Sequence, residues 1–114
     1  MSKNDYFVIV YKILLHLYDS LKNGRNVNWN ELQPNSRVFP IDEAYWEYIW
    51  LNLMKDGYVT GVAEIPRLGA EPGIKILPSL RITPKGIEYL EENSMMKKIS
   101  SGIRDLADLI TNVI

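Results

Sequence analysis

Residues 82–93 read ITPKGIEYLEEN, and the apolar period changes within them. Ile82 closes an alternating run, IKILPSLRIT (74–83), that places Ile74, Ile76, Leu80 and Ile82 on one face of a strand. Thr83 is suited to cap a helix. Pro84 then takes the first helical position, where a missing N–H costs nothing. Ile87 and Leu90, three residues apart, pin that helix to a core, with Tyr89 flanking, and Gly86 allows close approach to the preceding strands. The stretch is a strand-to-helix joint.

Upstream of the joint, YVTGVAEI (58–65) is a second run of β-formers, and PRLGAEPG (66–73) separates the two runs. Two prolines and two glycines in that connection predict a hairpin with a long tip. Pro78 has no N–H to donate, so it belongs at a bulge or an edge.

Ahead of the hairpin the period is helical. Asp42 caps a helix to about Asp56, and Gly57 ends it. Trp46, Ile49, Trp50 and Leu53 fall at i, i+3, i+4 and i+7 and should face the core. Ala44, Tyr48, Leu51, Asn52 and Lys55 take the opposite face. Asn28 and Glu31 in VNWNELQP (27–34) resemble a capping box, which predicts a short helix over 29–33 stopped by Pro34, with Val27 as a stub of strand. The first helix runs over 5–22, capped by Asn4 or Asp5. Its stripe of Phe7, Val10, Leu14, Leu17 and Leu21, widened by Ile13, Leu15 and Tyr18, is broad enough for a central position. Gly24 suits the left-handed C-terminal turn.

Helix, short helix, longer helix, hairpin, helix is an α+β order, and it is the order of a winged helix: a helix-turn-helix with a β-hairpin appended. Residues 1–93 make that domain. Residues 94–114 make a C-terminal amphipathic helix in which Met96, Ile99, Ile103, Leu106, Ile110 and Val113 alternate at spacings of three and four. That seam either packs on the chain's own first helix or pairs two chains into a homodimer, and the dimer is the preferred expectation.

LMKDGYVTG (53–61) and RITPKGIEYLEEN (81–93) resemble the YjcQ-like family, small winged-helix proteins of Gram-positive bacteria and their prophages. The similarity covers residues 5–93. It implies the winged-helix fold and a connection with phage, and it implies no activity.

Composition narrows the chemistry. The chain has 114 residues, 46% hydrophobic and 24% charged, which suits one globular domain. It has no cysteine, which removes disulfides, thiolate metal sites and a cysteine nucleophile. Its one histidine, His16, lies on the apolar first helix, where a packed or hydrogen-bonded ring is expected. The run from Tyr6 to Leu21 contains Lys12, His16, Asp19 and Ser20, a poor membrane span, and no small-residue cleavage site follows it. The expectations are a cytoplasmic protein that is not an enzyme, needs no cofactor or metal and has no membrane partner.

The formal net charge of −1 leaves nucleic-acid binding to local patches. On the third helix, Tyr48, Asn52 and Lys55 could read double-stranded DNA. On the wing, Arg67 and Lys75 could hold the backbone, with Arg37 nearby. Against this, Asp42, Glu43, Glu47 and Asp56 outnumber Lys55 on that helix. The favoured expectation is a winged-helix DNA-binding protein, a small bacterial or prophage regulator; the rival reading is a module that docks a phage or host protein through the same fold without touching DNA.

Overall fold

A computed structural model describes residues 6–27, 29–36 and 39–93. Arg37 and the tail seam of Met96, Ile99, Ile103, Leu106, Ile110 and Val113 lie outside the described residues. The elements in chain order are helix α1 (Tyr6–Lys22), a 3-10 turn (Trp29–Leu32), helix α2 (Glu43–Lys55), strand β1 (Val59–Ile65), strand β2 (Gly73–Ile82) and helix α3 (Pro84–Glu92). This is a small α+β fold of three helices and one antiparallel hairpin.

Helix α1 forms the centre. Every residue from Val8 to Leu17 is buried, including Lys12 and His16. Its two ends depart from the predicted stripe, for Phe7 is 57% exposed and Leu21 is 43% exposed. A helix of 17 residues is about 25 Å long. Periodicity gives the side a residue occupies, whereas coverage at the ends depends on how far the packing partners reach. Asp19, also buried, closes the C-terminal end. It accepts from Asn23 Nδ2 and pairs with the Arg25 guanidinium at 2.5 Å.

The segment after α1 is tighter and shorter than the sequence predicts. Four residues form a 3-10 turn, because a piece this short gains too few hydrogen bonds to offset the nucleation of an α-helix. Asn35, at φ 56°, turns the chain after Pro34. Val27 forms no strand.

Helix α2 follows its predicted pattern. Trp46, Ile49, Trp50 and Leu53 are its buried residues. The Trp46 indole N–H donates to the Leu32 carbonyl at 2.7 Å, which ties α2 to the 3-10 turn.

The hairpin carries one irregularity. Thr60 pairs with Arg81 and Val62 with Ile76, so Leu77–Leu80 stand opposite Gly61 alone. Gly61 has φ 90°, and a Cβ there would lie 2.5 Å from Leu80 Cα. Pro78 sits inside this bulge, where its missing donor breaks no ladder bond.

The joint at Thr83 is built as predicted. Thr83 Oγ1 accepts from Gly86 N at 3.1 Å and donates to the Gly57 carbonyl at 2.6 Å. Gly86 is required by packing, since a Cβ would sit 2.5 Å from the Tyr58 carbonyl oxygen.

Candidate functional site

The outer face of α2 and the tip of the hairpin form one surface. Asp42 sets the start of α2 by accepting from Ala44 N at 3.1 Å. With Trp46, Ile49, Trp50 and Leu53 turned inward, Ala44, Tyr48 and Lys55 are left exposed and Leu51 and Asn52 half-buried.

Arg67, expected to project from the wing, turns back instead onto α2. Its Nη1 and Nη2 donate to Glu47 Oε1 and Oε2 at 3.2 and 2.9 Å. Two parallel bonds match the guanidinium fork to the carboxylate and fix both position and angle. Gly73 makes this possible, because a Cβ at that position would collide with the guanidinium. The tip therefore lies over α2 and borders an open cleft of about 500 Å³ lined by Ala44, Tyr48, Leu51, Ala70, Glu71 and Pro72 beside the ion pair.

Asn52 points its amide at its own helix, with Nδ2 donating to the Tyr48 carbonyl at 2.8 Å. Lys55 and Lys75 are both exposed. Lys75 stands opposite Ala63, and Arg81 opposite Thr60. The sequence-predicted set thus divides: Tyr48, Asn52, Lys55 and Arg67 gather on or against α2, and Lys75 lies on β2.

An aromatic run extends the surface to α1. The Tyr6 ring meets Phe7 edge-on at 5.2 Å and Tyr48 at 6.1 Å. Both outer rings, Phe7 and Tyr48, are 57% exposed. Burial, reinforced by the Asp56 carboxylate, pushes the Tyr6 hydroxyl up to about 12, so it stays neutral and can donate. The helical period assigns Phe7 to the core stripe, and no local signal marks it as part of a surface. The Arg67–Glu47 pair was equally hidden, because it joins residues 20 apart.

The electrostatics of α2 are acidic. Asp42 and Glu43 are exposed at its N-terminus, where the helix dipole favours them, and Asp56 is exposed at its C-terminus. Arg67 neutralises only Glu47.

His16 lies apart from this surface. It is buried, with Nδ1 3.8 Å from Glu31 Oε2. Burial lowers its pKa below the usual 6.5, against the opposing pull of Glu31 and Asp19. Among the described residues no group of three His, Cys, Asp or Glu side chains could hold a metal ion. Among the same residues no helix is long and apolar enough to cross a membrane.

No curated protein and no solved structure matches the chain. The model of the family described as YjcQ protein matches residues 11–109, most of the chain, and the protein belongs to the YjcQ family.

Proposed function

We propose that the chain is a winged-helix module, with α2 in the recognition-helix position and the hairpin as wing, whose α2–wing face docks a protein partner. The observation that carries this reading is the Arg67–Glu47 bridge. It folds the wing tip over the helix that would otherwise enter a DNA groove, and it occupies the wing's leading cation. The exposed acids Asp42 and Glu43 stand at the end of α2 that recognition helices present to base edges. They would meet the phosphate charge that dominates DNA affinity. Tyr48 and Phe7 supply large exposed rings of the kind that anchor protein interfaces. The partner that fits is a protein with an apolar anchor ringed by lysine or arginine.

A second reading, DNA binding through the wing, has its own support. Lys75 and Arg81 are exposed on β2 and have no acid partner among the described residues. In this reading they grip the phosphate backbone, and a homodimer joined through the tail would present two such wings.

Photo-crosslinking separates the two. With Tyr48→p-benzoylphenylalanine in cells, the protein reading expects one discrete protein adduct, abolished by Phe7→Glu. With the same group replacing Lys75, the DNA reading expects a nucleic-acid adduct. It also expects affinity for a mixed-sequence duplex that falls steeply with salt. A nucleic-acid adduct at position 48 would refute the protein reading.

A further inference from the structure

Beside the chain leaving α1, no strand among the described residues covers the outer edge of β2. Among the described residues the sheet contains β1 and β2 only. Asn26 and Val27 run alongside β2 without pairing to it. Between them lies a cleft of about 510 Å³ lined by Val27, Trp46, Ile74, Ile76, Leu77 and Leu80. That volume falls within the span of small-ligand pockets, roughly 300–1,000 Å³, which are mostly apolar with a few polar groups for orientation. Leu77 is half-buried yet stands outside the hydrophobic core and the side chains packed on it. Its aliphatic surface belongs to the cleft.

The polar groups lie at one end. A second cavity of about 290 Å³ shares Asn26, Val27, Pro78 and Leu80 with the first and adds Ser20, Arg25 and Arg81. Among the described residues neither cavity has an acid in its lining. Arg25 is held by Asp19. Arg81 is exposed and has no acid partner among the described residues. One uncommitted guanidinium therefore stands where an apolar slot opens into a polar mouth.

We propose that this cleft binds a small amphiphile with an aliphatic body and a single carboxylate head. The body lies against Trp46, Ile76 and Leu77. The carboxylate meets the Arg81 guanidinium, whose fork suits it through two parallel charge-assisted bonds, with the Asn26 amide beside it. Binding is reversible, and the site is separate from the α2–wing face, so it does not depend on a protein docked there; only the DNA reading draws on the same Arg81.

The test uses the full chain and dodecanoate kept below its micelle-forming concentration. Heteronuclear NMR is expected to show saturable one-to-one binding, with shifts at Val27, Leu77, Arg81 and the Trp46 indole N–H. Arg81→Gln should weaken it by about tenfold, the loss of a hydrogen bond to a charged group. Leu77→Glu should weaken it further by placing a like charge in the slot. Arg81 is exposed and Leu77 lies outside the core, so both variants are expected to fold. If Leu77→Glu does not, Arg81→Gln decides. Dodecyltrimethylammonium binding as tightly as dodecanoate would overturn the assignment. So would unchanged affinity in Arg81→Gln, shifts confined to Phe7 and Tyr48, or binding to phosphatidylglycerol vesicles without binding to monomeric dodecanoate.

Discussion

Arg67 and Glu47 join the tip of the hairpin to the middle of α2 through two parallel bonds, with the carboxylate 15% and the guanidinium 48% exposed. A pair so placed is partly screened by water and contributes about 1 kcal/mol or less to stability. Its effect is on position. Arg67→Ala and Glu47→Gln should each leave the melting temperature nearly unchanged and speed amide exchange through residues 67–71. A double-mutant cycle should show that the two effects are not additive. Fully additive effects would mean that the tip is held by something other than this pair.

Gly61 is expected to be the least replaceable of the described glycines. An alanine there is forced to φ 90°, and its Cβ is driven into the backbone of Leu80. Left-handed strain and overpacking together predict a loss of about 2–5 kcal/mol. Gly24 has φ 63° with nothing near its Cβ position, so Gly24→Ala should cost only the conformational part, about 1–2 kcal/mol. Chemical denaturation of the two variants tests the difference in slope-corrected midpoint.

Thr83 serves two elements with one hydroxyl, capping α3 at Gly86 and donating to the Gly57 carbonyl at the end of α2. Thr83→Ala should cost about 1–2 kcal/mol. Thr83→Ser keeps the oxygen and should recover most of it. If serine is as damaging as alanine, the methyl group rather than the hydroxyl matters at this joint.

His16 sets an acid limb. Its folded pKa lies below the unfolded value of about 6.5 because burial disfavours the charged ring. Between those two values the unfolded chain binds more protons than the folded one, so stability rises with pH. His16 therefore costs nothing above about pH 6.5 and destabilises increasingly as pH falls below it toward the folded pKa. Melting temperatures from pH 7.5 to 5 should fall more steeply for the natural chain than for His16→Gln. Parallel curves would show that the ring titrates alike in both states.

The sequence carried the inward face of α2 because Trp46, Ile49, Trp50 and Leu53 obey a period that only one structure satisfies. It carried the joint at Thr83 because cap, proline and glycine each have a local requirement. It limited Pro78 to a bulge or an edge because a residue without a donor has few places in a hairpin, and the structure puts it in the bulge. It misplaced Phe7 and Leu21, since a period specifies direction and says nothing of where neighbouring elements stop. Val27, whose β-branched side chain suggests a strand stub, pairs with no strand among the described residues, and the cleft beside β2 lies where such a strand would be. At the candidate site, Tyr48, Asn52 and Lys55 were legible as an outer face. The partner of Arg67 was not, for ion pairs across long sequence separations leave no periodic trace.

The bulge opposite Gly61 divides the hairpin mechanically. Below it, Val59 and Thr60 pair with Ile82 and Arg81, beside a joint anchored by Thr83. Above it, Val62–Ile65 pair with Gly73–Ile76 in a ladder of their own. With Leu77–Leu80 unpaired between the two ladders, the outer half is an arm on a pivot. A single ion pair fastens its free end to α2, and the half-buried side chains of Ile74 and Ile76 seat it against the core. Releasing that fastening is therefore expected to loosen the tip between Ile65 and Gly73 first, with both ladders intact, since Val62, Ile74 and Ile76 keep the rest of the arm packed on the core.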